Sequence, residues 1–195
     1  MHLIRILLDE HRLIEQVLNC LERMADRCQS HRNLESGPAR DAIDFLRGFI
    51  QRCHDRKVEE HLLPAIQAMG VATEKCLKCP IRQSRQDNRS HVDAMEASIE
   101  PACAGSAAAL DEFARHARAY IDGLLDCIAR HEDCLFPLIE ETARETDGAL
   151  LESGDRGCGD DVASSTYTEA ADRLADRLGV PRAVMSASGD EKQMP

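Results

Sequence analysis

Two stretches, Cys53-His54-Asp55-Arg56-Lys57-Val58-Glu59-Glu60-His61-Leu62-Leu63-Pro64 and Cys127-Ile128-Ala129-Arg130-His131-Glu132-Asp133-Cys134-Leu135-Phe136-Pro137, end alike. Each puts a metal-binding side chain, His54 or Cys127, ten residues before its proline, and an acid, Glu59 or Glu132, five residues after that side chain. Each lies in a helical pattern, and a helix that carries ligands at such offsets can aim them into a bundle interior.

Working outward from the first stretch, Ile43, Leu46, Ile50, Cys53, Val58, Leu62 and Ile66 define one amphipathic helix that Gly70 ends. A polar break from Ser30 to Ala39 precedes it. Before that break, Ile4, Leu7, Leu8, Ile14, Val17, Leu18, Leu21 and Met24 fall at three-four spacing from Leu3 to about Cys28, with His11 on the stripe. After Cys76-Leu77-Lys78-Cys79-Pro80, a third helix carries Ile81, Asn88, Val92, Met95 and Ile99 on one face and is expected to stop at Pro101. The second stretch lies on a fourth helix, with Phe113, Ala117, Tyr120, Leu124, Cys127, His131, Cys134 and Leu138 in phase to about Glu145.

Four long helices with short connections pack most economically as an all-α, up-down-up-down four-helix bundle over residues 1–145. A Gly/Asp/Ser-rich loop is expected over 146–166, a short extra C-terminal helix over 167–180, and a disordered tail over 186–195.

Composition narrows the function. The net charge of −11, from 35 acids against 24 bases, excludes a phosphate-backbone binder, so neither nucleic acid nor an anionic membrane is an expected partner. The apolar run Leu3 to Leu8 is too short for a signal peptide or a span, which predicts a cytoplasmic protein. Nine cysteines in such a chain read as reduced thiols, metal ligands or redox groups rather than a disulfide framework. No Ser-His-Asp arrangement, acid/base pair or phosphate loop indicates an ordinary enzyme.

Residues four apart on a helix lie nearly on one face, about 6 Å apart along its axis, so Cys127 and His131 can bind one metal. With His11 and His54 they form the leading site: three helices offer His11, His54, Cys127 and His131 to one interior region. Singly, each is a satisfied core residue; as a set they point to metal. Glu59, His91 and Glu132 are secondary ligands, and the two glutamates reach the interior only if the helix is distorted. Cys76 and Cys79 form a separate candidate thiol or metal pair, which Cys103 and Cys158 could complete. Cys20, Cys28, Cys53 and Cys134 read as packing residues, the last two nearest the metal.

Asp9-Glu10-His11-Arg12, Arg52-Cys53-His54 leading to Leu63-Pro64, and Tyr120-Ile121-Asp122 leading to Cys134-Leu135-Phe136-Pro137 together resemble the hemerythrin-like, or HHE cation-binding, family. The resemblance runs from about Leu3 to Glu145. It implies a four-helix bundle holding a non-haem di-iron centre through histidines and bridging carboxylates, in proteins that bind oxygen, handle nitric oxide or peroxide, or sense iron and redox state. His11 and His54 stand where that family has histidines. The first family carboxylate would fall at Val58 and the third-helix histidine at Asn88, while Cys127 takes a histidine place and His131 a carboxylate place.

Three imidazoles and one thiolate suit a single iron, zinc or copper, since borderline metals accept mixed nitrogen and sulfur ligands. Recruitment of Glu59, His91 and Glu132 would instead restore a di-iron site. Haem through Cys127 or a histidine has nothing specific in its favour. The expected function is binding or sensing of a small diatomic ligand or of redox state at the core metal, against a zinc-binding or thiol-redox protein with no open position.

Overall fold

The computed structural model describes residues 2–70, 81–145 and 161–185. The Cys76/Cys79 pair, Cys158 and the 186–195 tail lie outside the described residues. Those residues hold five helices and no strand. Helix α1 is His2–Ser30. Helix α2 runs without a break through Ser36–Phe45, Leu46–His54, Asp55–Lys57, Val58–Leu62 and Leu63–Ala68. Helix α3 is Ile81–Cys103. Helix α4 runs through Ala107–Arg130, His131–Leu135 and Phe136–Glu145, and α5 is Asp161–Leu178.

Helix α1 packs against α2 and α4, and α3 against the same two, so the four long helices close a ring. Helix α5 lies against α1 and α2. Its Tyr167 sits over Gly48, where a Cβ would overlap the phenol, and its ring meets Phe45 and Phe49. Gln16 ties the same region to α1, donating to Asp172 at 3.0 Å and accepting from the Ala183 amide. No described helix is long and apolar enough to cross a membrane.

Three boundaries differ from the sequence reading. Helix α2 starts at Ser36, inside the expected break, because Pro38 falls in its first turn, where the missing N–H has no partner to lose. Helix α3 passes Pro101 and ends at Cys103, followed by Gly105 at φ 90°; a proline in the last turn costs one bond but does not stop the helix at once. Helix α5 starts at Asp161 rather than Tyr167; no glycine or proline follows Gly159 there, and acids suit a helix N-terminus.

The two repeated stretches carry wide, i→i+5 helical turns. In α2 these are Leu46–His54 and Val58–Leu62, and in α4 His131–Leu135. The shared proline accounts for one in each helix. A proline ring presses on the carbonyl four residues back and supplies no N–H to it. For Pro64 that carbonyl belongs to Glu60, and for Pro137 to Asp133, each inside a widened turn. Such turns rotate the side chains around them out of α-helical phase.

The core divides into two apolar clusters. The larger holds Leu13, Ile14 and Val17 of α1, Ile50 of α2 and Ile128 of α4 among many others. The smaller holds Leu3, Leu7, Val58, Leu62, Leu135, Phe136 and Ile139. On each of α1, α2 and α4 a buried histidine stands at the boundary: His11 between Leu7 and Ile14, His54 between Ile50 and Val58, His131 between Ile128 and Leu135.

Candidate metal centre

His11, His54 and His131 meet at that boundary, each offering a ring nitrogen within 4.8 Å of the other two. They are 0%, 4% and 5% exposed, so no bulk water solvates them. His11 is central: its ring lies 5.1 Å from that of His54 and 5.7 Å from that of His131. Phe136 stacks on His11 at 5.7 Å and covers the site from the smaller cluster.

Each histidine is held from behind. His11 Nδ1 donates to Glu132 Oε1 at 2.7 Å, which leaves Nε2 as the lone-pair nitrogen, buried and without a hydrogen-bond partner. His54 Nδ1 donates to Glu10 Oε2 at 2.9 Å, and the other oxygen of Glu10 pairs with Lys57. His131 Nε2 lies 3.8 Å from Cys127 Sγ, within sulfur hydrogen-bonding range. A carboxylate behind an imidazole fixes its tautomer and raises its basicity as a ligand.

Electrostatics agree with a neutral His11 ring. Burial, with His54 and His131 as like-charge neighbours, pushes the His11 pKa down to about 2. Burial raises the Glu10 carboxyl, but His54 and Lys57 outweigh it and hold it below the ordinary value. Glu132 is pushed up, by burial and then by Glu15. The orphaned nitrogen of a neutral His11 and the outer carboxylates fit a divalent transition metal, for which the three ring nitrogens would be the donors.

Of the leading sequence candidates, the structure brings His11, His54 and His131 together and sets Cys127 beside His131 as a half-buried, reduced thiol. Among the secondary candidates, Glu132 arrives as the partner of His11, through the helix distortion its position requires. Glu59 stays exposed, because the turn at Val58–Leu62 leaves Val58, not the acid, in the core. His91 lies elsewhere, paired with His116. Asn88 packs over Gly123. Cys103 is exposed at the end of α3, its thiol donating to the Leu34 carbonyl at 3.2 Å. Cys20 and Cys28 are packing thiols that burial pushes up to about 12 and about 11. Cys53 packs against the larger cluster, and Cys134 is disulfide-bonded.

The profile of the "Hemerythrin HHE cation binding domain" matches residues 2–139, a span that contains all three histidines. The chain belongs to the hemerythrin HHE family. No curated protein and no solved structure matches it. Its membership accounts for the helical bundle and for a metal site in its core, and its histidine triad lies where α1, α2 and α4 converge. Sequence reasoning passed over Glu10 and Lys57. Glu10 had a signal: Leu3, Leu7, Glu10, Ile14, Val17, Leu21 and Met24 form one seam, and Glu10 is its only charged member. Lys57 had none beyond its place one turn after His54.

Proposed function

We propose that this HHE protein binds a single transition metal, with iron the leading choice, through His11, His54 and His131, and uses an open coordination position to bind or sense a small diatomic ligand or redox state. The observation that carries this reading is the buried, partnerless Nε2 of His11, aimed into a three-histidine cluster. A buried polar nitrogen left without a partner costs about 1–3 kcal/mol, a penalty that metal ligation removes.

A single ion is favoured over a di-iron centre by the donor set. Val58 and His131 occupy the places of the family's carboxylates, and both glutamates near the site face histidine nitrogens. Three neutral imidazoles leave a divalent ion its full charge and, while Cys127 stays a thiol beside His131, a position for an external ligand. Such a metal would supply reversible ligand binding and, if iron, one-electron chemistry.

The chain's own residues do the rest. Glu132 and Glu10 keep the Nδ1 protons of His11 and His54 and present the opposite nitrogens as ligands. Lys57 neutralises Glu10, so that its carboxylate stays ionised although buried. Phe136 and the flanking apolar clusters exclude bulk water, which favours a small uncharged ligand over an ion. Cys127, next to His131, is placed to feel the redox state of the site or to join the metal as a thiolate.

Elemental analysis of protein isolated without oxygen, with visible spectra before and after air or nitric oxide is admitted, tests the reading. About one iron per chain with bands that change on gas exposure supports it. Two irons with an oxo-type band would restore a di-iron centre, and a colourless zinc protein would favour a structural or thiol-regulated role. Undiminished metal in both His54→Ala and His131→Ala would sink the proposed ligands.

A further inference from the structure

The family profile ends at residue 139, and helix α5 lies beyond it. Between α5 and α2 the chain encloses a cleft of about 390 Å³, at the lower end of the size range of small-molecule sites. The two helices run antiparallel there, since Arg177 lies over Gly37 and Tyr167 over Gly48. Gly48 lets the Tyr167 phenol rest directly on α2, where any Cβ would overlap it. None of the three core histidines is among the residues lining this cleft, so it is a place apart from the metal centre.

The walls decide what it can hold. Buried Phe45, Ala170 and the ring of Tyr167 give it an apolar side. Of the four charged residues at its rim, three are offset by neighbours: Asp41 lies 4.0 Å from Arg177, Asp44 has Arg40 one turn back, and Arg173 pairs with Glu169 at 3.6 Å. Arg52 is different. Its Nε donates to the Arg47 carbonyl at 3.3 Å, and neither Nη group meets a carboxylate among the described residues. The half-buried Tyr167 likewise has no hydrogen-bond partner for its hydroxyl among the described residues.

A guanidinium whose Nη groups are unengaged presents a planar fork that matches a carboxylate. Beside it, Tyr167 already meets Phe45 and Phe49 at ring centroid distances of 6.1 and 5.4 Å, a cluster that one more ring would extend. Asp41 and Asp44, on the other side of Gly48 from Arg52, repel a second negative charge, which selects a monoanion over a phosphate or a dicarboxylate. We propose that the cleft between α2 and α5 is a binding site for a small aromatic carboxylate. Arg52 holds the anionic end, the Tyr167 hydroxyl donates to it, and Phe45, Ala170 and the Tyr167 ring cover the body of the ligand.

The test is a titration of the metal-free full chain with phenylacetate, read from backbone amide shifts by nuclear magnetic resonance. Saturable shifts are expected in 41–52 of α2 and 166–173 of α5, and phenylacetamide, the uncharged counterpart, should bind about tenfold more weakly. Arg52→Gln should weaken phenylacetate by about tenfold, and Tyr167→Phe, which keeps the ring, by about threefold. Arg56→Gln, one turn on and outside the cleft, should leave it unchanged. Circular dichroism confirms that each variant is folded. Shifts that do not saturate, equal binding of phenylacetamide, or wild-type affinity in folded Arg52→Gln would overturn the proposal. His54→Ala, which the core reading expects to lose metal, should bind phenylacetate as wild type does, so either reading can fail while the other stands.

Discussion

The stretches His54–Pro64 and Cys127–Pro137 share a proline, a widened turn before it and a residue aimed at the core, yet they furnish the centre differently. In α2 the first residue, His54, joins the histidine cluster, and the acid five residues on, Glu59, is exposed. In α4 the cluster residue is His131, four residues into the stretch, and the acid Glu132 turns in to support His11. The support that Glu59 does not give His54 comes from α1, through Glu10. The repeat therefore fixes where the backbone widens, whereas the neighbouring helices decide which side chain fills each role.

Replacing the apolar member of the α2 stretch should have the largest effect. Val58 is 2% exposed and packs with Leu3, Leu7 and Phe136 in the smaller cluster, at the place where the family carries a carboxylate. Val58→Glu buries a carboxyl without a partner, and the metal-free chain should lose about 3–5 kcal/mol, read as a shift in urea midpoint. Unchanged stability would show that α2 can turn an acid inward as α4 does.

Next comes the borrowed support. Glu10→Ala removes the acid that the structure places against both His54 and Lys57, and leaves buried His54 and half-buried Lys57 without it. A loss of about 3 kcal/mol is expected from breaking a buried pair, with a roughly 10–100-fold drop in metal affinity. Titration calorimetry and denaturation separate the two effects. Retained affinity would mean that His54 is held by packing alone.

Acid should expose the same asymmetry. His11 is neutral when folded, with its pKa near 2, but takes a proton below about 6.5 when unfolded. The unfolded chain then binds more protons, so metal-free stability falls as pH falls, by about 1.4 kcal/mol per unit below 6.5, or about 2 kcal/mol at pH 5. Glu10, depressed when folded, adds a loss that begins below its ordinary range near 4.5. Glu132, raised when folded, works the other way and partly offsets it. A urea midpoint flat from pH 7 to 5 would contradict neutral burial of His11.

How much of this the sequence disclosed depends on whether the information is periodic. Apolar stripes announced the four long helices, and His11, His54 and His131 could be placed because each interrupts a stripe with a ligand. The fate of the acids could not be read, because an α-helical wheel puts Glu59 and Glu132 at equal angles from His54 and Cys127, the residues that open the two repeats. Only the widened turns change that phase, and their effect depends on what α1 presents opposite. His91 was misplaced for a related reason: one turn beyond Asn88 on a helical wheel gives no hint that α4 offers His116 there.

A smaller effect is expected at Glu132. Its side chain is 37% exposed, so water can replace much of what it gives His11. Glu132→Ala should cost about 1 kcal/mol in the metal-free chain and about tenfold in metal affinity. An effect as large as that of Glu10→Ala would show that the α4 acid ligates the metal rather than orienting its ligand.

The smallest effect belongs to Glu59, and it decides what the repeat means. Exposed on α2 and separated from the core by Val58, it should tolerate Glu59→Gln with a stability change within about 0.5 kcal/mol and the same metal content and affinity as wild type. If metal is lost on that change, then α2 rotates when loaded and brings its acid inward, and the two stretches become equivalent in the working protein. If metal is kept, the resemblance of the two stretches lies in the backbone alone, with Glu10 the true counterpart of Glu132.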